Sequence, residues 1–155
     1  MLISASRRTD IPAFYGEWFI NRVKAGYFDR INPFNPNQVK SFSLRPEEVD
    51  AFVFWTKNPR HFFKHLDLID GMGYNYLFHF TLNDYPMDFE PGVPPISQRI
   101  DAFKELSGRI GPKRVVWRYD PVILSSLTPP EYHLEKIAAL ARELSGYTER
   151  LVISF

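Results

Sequence analysis

Four short apolar runs in this chain each end in polar or charged residues, and those endings hold most of the side chains able to do chemistry. Leu2–Pro12 reads LISASRRTDIP, Phe52–Pro59 reads FVFWTKNP, Tyr76–Pro86 reads YLFHFTLNDYP and Val115–Pro121 reads VVWRYDP. They deliver a charged set, Arg7, Arg8, Asp10, Lys57, Arg118 and Asp120. Beside it stand groups that can stack or hydrogen-bond: Trp55, Thr56, Asn58, Thr81, Asn83 and Tyr119. Cations gathered round a cavity suit a carboxylate, a phosphate or a sulfonium-linked carboxylate, because arginine grips such groups bidentately. The charged set is therefore the candidate catalytic group, and the second set the candidate substrate- or cofactor-binding group. Arg8 with Asp10, and Arg118 with Asp120, are equally what ion-paired strand ends would contain. Asp10 and Asp120 could also cap the helices that follow. At the level of residues both readings stay open.

Other residue types carry less. His61 and His65 have the i, i+4 spacing of a two-histidine metal site, but residue 62 is Phe, so a zincin motif with its glutamate base is not met. No metal site is predicted. His79 lies inside an apolar run, where it is either a core histidine or an acid–base group near the rim. His133 falls at a helix start and reads as surface. Phe34, Trp55, Trp117 and Tyr119 could stack a base, though the two tryptophans read equally well as core. Gly71-Met72-Gly73 is a helix stop rather than a phosphate loop.

The elements that would position these groups alternate. Leu2–Ser6, Ala51–Thr56, Tyr76–Thr81, Arg114–Tyr119 and Arg150–Phe155 read as strands. Helices are predicted from Pro12 to about Ala25, from Pro59 with Asn58 as N-cap, over Ile96–Leu106, and from a Thr128–Glu131 capping box to about Leu144. Tyr27–Asp50 reads as an excursion with a short strand at Val39–Leu44 and a turn near Asn35-Pro36-Asn37. Strands that alternate with helices make a parallel α/β sheet, and such sheets handle ligands at the C-terminal ends of their strands. The fold predicted is a partial (β/α) barrel, TIM-barrel-like, with outer helices. Residues 1–155 form one domain that ends on an uncovered strand, which predicts further protein beyond Phe155 or self-association through that strand.

Whole-chain composition agrees with a soluble globular domain. Of 155 residues, 45% are apolar and 24% charged, and the net charge of +1 gives no electrostatic case for a nucleic-acid partner. The chain has no cysteine, which removes disulfides, thiolate nucleophiles and Cys-ligated clusters. No apolar run is long enough for a bilayer and no leader precedes the first strand, so a cytoplasmic location and no membrane partner are expected.

SASRRTDIPAFYGEWF, NPFNPNQV, VFWTKNPRHF, FEPGVPP, VVWRYDPV and EYHLEKIAALARELSGYTERLVISF together resemble the bacterial domain-of-unknown-function family 1848, over essentially the whole chain. Longer members of that family look like radical S-adenosylmethionine proteins. The resemblance thus implies a [4Fe-4S] cluster and S-adenosylmethionine in those members, bound through a C-terminal cysteine cluster. WTKNPRHFFKHLDLID and FEPGVPPISQRIDAFKEL are also similar to partial-barrel segments of the spore-photoproduct-lyase-like radical enzymes. Without cysteine, no cofactor is expected on this chain itself. The reading is a substrate- or cofactor-rim portion, inactive alone, that takes a small anionic ligand or S-adenosylmethionine. A non-catalytic ligand- or nucleic-acid-binding module and a metal-free barrel enzyme acting on an anionic metabolite are the alternatives.

Overall fold

The computed structural model describes residues 1–6 and 9–155. The chain runs β1 (Leu2–Ser4), α1 (Ile11–Phe14), α2 (Gly16–Ala25), the hairpin β2 (Tyr27–Asn32) and β3 (Asn35–Ser43), then β4 (Ala51–Thr56). It continues through α3 (Leu66–Gly71), β5 (Tyr76–Thr81), α4 (Ile96–Ile110), β6 (Val115–Tyr119), α5 (Pro130–Glu143) and β7 (Leu151–Ile153). Five strands pair in the order β1-β4-β5-β6-β7, every neighbour parallel, as the alternating pattern predicts. The sheet is open. β1 and β7 are its edges, and no closed barrel forms among the described residues, so the barrel-like expectation reduces to a mainly parallel α/β sheet.

Side chains of a strand alternate between faces, and the registers sort them into two sets. Phe52, Phe54, Tyr76, Phe78, Phe80, Val115, Trp117 and Tyr119 share one face and are nearly all fully buried. Phe19 and Val23 of α2, Phe103 and Leu106 of α4, and Leu140 of α5 close over them. This layer accounts for the high aromatic content. Phe54 meets Phe62 and Phe78 at ring-centroid distances of 4.9 Å, and Phe19 edge-on at 5.2 Å. The opposite face carries Val53, Trp55, Leu77, His79, Thr81, Arg118 and Val152, half-buried or exposed and outside that core.

Several elements differ from their sequence expectation. The helix predicted from Pro12 to Ala25 breaks at Tyr15, whose φ of −129° leaves the helical region. The break changes the angular phase, so Phe14 and Trp18 are exposed while Phe19, Ile20 and Val23 are buried. β3 starts at Asn35 and the turn sits at Pro33-Phe34, because the Asn32 and Asn35 side chains accept from the backbone of Phe34 and Asn37 and absorb the bend. Asn58 caps no helix. Its stretch opens as a 3-10 turn, Arg60–His65, before α3. The Thr128–Glu131 capping box does not form either, since Thr128 spends its hydroxyl on the carbonyl of Ile123 at 2.7 Å.

Candidate functional site

Two groups of side chains gather at the C-terminal ends of the parallel strands. The first is built on Asp10. Its carboxylate accepts from Ala13 N at 2.9 Å, from Thr56 Oγ1 at 3.0 Å and from Lys57 N at 2.8 Å. One side chain therefore caps α1 and ties it to the end of β4. Thr56 passes the link on by accepting from Asn58 N at 3.1 Å, which gives the Thr-Lys-Asn-Pro stretch its bend. Burial pushes the Asp10 carboxyl above its ordinary value, and the three hydrogen bonds and the Lys57 charge pull against that.

Beside Asp10 opens a cleft of ≈ 570 Å³, lined by Asp10, Phe14, Lys57, Asn58, His61 and residues 91–94. Lys57 reaches across its edge to hydrogen-bond with Glu90. Arg99, on the first turn of α4, approaches the other oxygen of that carboxylate, with Nη1 3.7 Å from Oε2. In this corner an ammonium and a guanidinium face one carboxylate, and Lys57 also lines the cleft.

The second group lies on the open face of the sheet. Trp55 of β4 stacks on its register partner His79 of β5, with centroids 4.6 Å apart and planes 16° from parallel. The Arg118 guanidinium of β6 sits 4.3 Å from the centre of the Trp55 ring, a cation–π contact. Asp120 holds Arg118 through Nε at 2.9 Å and through Nη2, and Ser154 donates to the same carboxylate oxygen at 3.2 Å. His79 Nδ1 is buried without a hydrogen-bond partner among the described residues. Desolvation, and next the Arg118 charge, push its pKa down, with Asp120 opposing. His79 is thus a neutral imidazole on an open sheet face, beside a cation held in place.

The predicted site residues divide between these groups. Asp10, Lys57 and Asn58 line the cleft, and Thr56 is buried behind it on the Asp10 carboxylate. Trp55, Arg118 and Asp120 belong to the sheet face, and Arg118 does not line the cleft. Arg7 and Arg8 lie outside the described residues. Thr81 is the register partner of Arg118 on the open face. Asn83 is fully buried and donates to the carbonyl of Asp120 at 2.9 Å, so it fixes the loop that carries that carboxylate. Tyr119 faces the core instead, fully buried, and its hydroxyl bonds His133 Nδ1 at 2.9 Å. His133 in turn lies 3.0 Å from the carbonyl of Ile123, which can only accept, so Nε2 carries the proton. The surface reading of His133 is thereby corrected: it is a buried tie on the inner face of α5. Trp117 is core as well, with its indole donating to the carbonyl of Leu82 at 3.0 Å.

Glu90 and Arg99 are absent from the predicted set. A carboxylate in a proline-rich loop and an arginine in an amphipathic helix carry no local sign of burial. Phe34, at the tip of the hairpin, is 94% exposed and far from forming a stacking pocket with either group. His61 and His65 sit on a 3-10 turn, whose side chains repeat every three residues, so the i, i+4 spacing does not bring them together. His65 packs instead towards Glu17 at 3.5 Å. Among the described residues no three His, Cys, Asp or Glu side chains are placed to hold a metal ion. With no cysteine in the sequence, these residues do not fit an iron–sulfur cluster. No described helix is long and apolar enough to cross a membrane.

No curated protein and no solved structure matches this chain. One family model does, over residues 2–155, and the strand-end phrases that build both groups all fall within it. The chain therefore belongs to the family described as Domain of unknown function (DUF1848).

Proposed function

We propose that this chain is the ligand-handling part of an enzyme and takes a small anionic ligand or S-adenosylmethionine, the latter gripped by its carboxylate. Any iron–sulfur ligands would come from another polypeptide segment. The observation that carries this reading is the group on the open sheet face, where Trp55, His79, Arg118 and Asp120 meet at the C-terminal ends of three adjacent parallel strands. Substrates of parallel α/β enzymes are handled at that end of the sheet. Arg118 supplies a cation for a carboxylate, and its ion pair with Asp120 fixes the guanidinium before any ligand arrives. The consecutive, all-parallel strand order supports treating the sheet as an arc of a (β/α) barrel, with the open face as its interior.

Isothermal titration of S-adenosylmethionine tests the reading. Binding to the chain, weakened by about 2–5 kcal/mol in Arg118→Met, is the expected outcome for a charge that grips the ligand in a partly buried site. If Arg118→Met lowers only the melting temperature and leaves binding untouched, Arg118 is a strand-end tie and the reading fails. His79 favours a second reading, a metal-free enzyme on a carboxylated or phosphorylated metabolite, because its Nδ1 has no hydrogen-bond partner among the described residues and an unprotonated ring nitrogen can accept a proton. Binding of simple phosphate or carboxylate compounds at Arg118, with none of S-adenosylmethionine, would select it.

A further inference from the structure

Glu90 stands on the loop between β5 and α4, and two cations straddle its carboxylate. Lys57 Nζ donates to Oε1, while Arg99 Nη1 stays 3.7 Å from Oε2, beyond hydrogen-bonding distance. Arg99 is only 4% exposed. Its Nε and Nη1, and Glu90 Oε2, have no hydrogen-bond partner among the described residues. A guanidinium taken out of water without hydrogen bonds is costly, so proteins rarely leave one in that state without a use for it. One carboxylate shared between two cations leaves donors to spare.

The surroundings say which partner can move. Lys57 is fixed through its backbone by Asp10, and Arg99 is held in a fifteen-residue helix. Glu90 lies on a loop whose neighbours Met87 and Phe89 are exposed. The residues that follow it, 91–94, form one wall of the cleft. Swinging Glu90 outward therefore opens the cleft towards Arg99.

We propose that Lys57 and Arg99 form a two-cation seat for a ligand carboxylate or phosphate, and that Glu90 is the internal carboxylate occupying it until such a ligand displaces it. This seat is separate from the Arg118 group and stands whether or not Arg118 binds a ligand. It takes anions with at least two acceptor oxygens, because both cations must be satisfied once Glu90 leaves. It also makes the loop a competitor for the ligand, so weak anions do not open it.

The test titrates inorganic phosphate and malonate into the whole chain at constant ionic strength. Glu90→Gln keeps the side-chain shape and removes the competing charge, so binding should tighten at least ~10-fold, the 1.4 kcal/mol step of a modest coupling. Adding Lys57→Met or Arg99→Met to Glu90→Gln should cancel that gain, and Arg118→Met should not. In the unaltered chain, phosphate should speed chymotryptic cleavage after Phe89 as the loop is released. Unchanged or weaker binding in Glu90→Gln overturns the proposal. So does cleavage slowed by phosphate, or the absence of phosphate and malonate binding in every variant. Loss of binding in Arg118→Met alone would place the anion on the sheet face and overturn it as well.

Discussion

Asp10 shows how one side chain can serve a helix, a strand and a cleft at once. Three donors converge on it from Ala13, Thr56 and Lys57, two of them from the end of β4. Replacing it with alanine removes the cap of α1 and strands the Lys57 amide and the Thr56 hydroxyl in a part-buried place. The expected cost is about 2–4 kcal/mol, adding a lost cap to hydrogen bonds made to a charged acceptor. Asp10→Asn keeps the shape and one accepting oxygen, so it should cost clearly less. Urea midpoints of the two variants check the ranking. Equal midpoints would mean that Asp10 matters only as a charge.

At the scale of elements, the break at Tyr15 lets α2 start against the 3-10 turn of Arg60–His65. Gly16 is the point of closest approach. A Cβ there would lie 3.1 Å from a ring carbon of Phe62 and 3.3 Å from the His65 ring. Phe62 is fully buried and hemmed in by Phe19, Phe54 and Phe78, so it cannot retreat. Gly16→Ala should therefore destabilise the chain by about 1–3 kcal/mol through overpacking, against the usual gain of alanine over glycine in a helix. Thermal unfolding gives the answer, and a stabilised Gly16→Ala would show that the turn can shift. The same packing aligns the start of α2 with the cleft, because α1, which carries Phe14 and Asp10 at its ends, is joined to α2 through Tyr15 alone.

Across the whole molecule, burial sets the response to acid. Desolvation pushes both His65 and His79 below their ordinary value, more than Glu17 raises the one or Asp120 the other. Each is then neutral in the folded chain and protonates more readily when unfolded. Their contribution is fully present above about pH 6.5, the ordinary histidine value, and is lost as pH falls through the lowered folded-state values. Asp10 acts with the opposite sign. Its raised pKa keeps a proton on the folded chain longer, so its share of stability declines as pH rises from 3.8 through the raised value. The melting temperature should drop between pH 7 and about pH 5, and His79→Gln should flatten part of that slope. A melting curve independent of pH in this range would show that neither imidazole is desolvated as the packing implies.

How far the residues alone specify this protein can be judged strand by strand. The period-two runs FVFWT, YLFHFT and VVWRY, each closed by proline, were enough to place β4, β5 and β6 and to put the candidate chemistry at their C-terminal ends. Those signals are local: a strand buried on one face must alternate, and a proline cannot continue it. Local signals could not tell which face each residue takes relative to a helix laid over the sheet. Tyr119 and Trp117 went to the core while Trp55 and Arg118, at the matching ends of their strands, went to the open face, because a shift of one residue reverses the side chain. Nor could they pair Glu90 with Lys57 and Arg99, residues 33 and 9 positions away, whose meeting depends on how the loop after β5 folds back over the rim. Helix boundaries at Tyr15, Asn58 and Thr128 differ from their local signals because other contacts compete. A capping residue is worth about 1 kcal/mol, and the packing of Phe62 and the loop bonds of Thr128 to Ile123 and Ser125 outweigh it. Composition and periodicity determined a mainly parallel α/β sheet with its polar and charged strand ends on one rim. The tertiary structure decided which of those side chains meet, since contacts between distant segments are set by packing that no window of sequence contains.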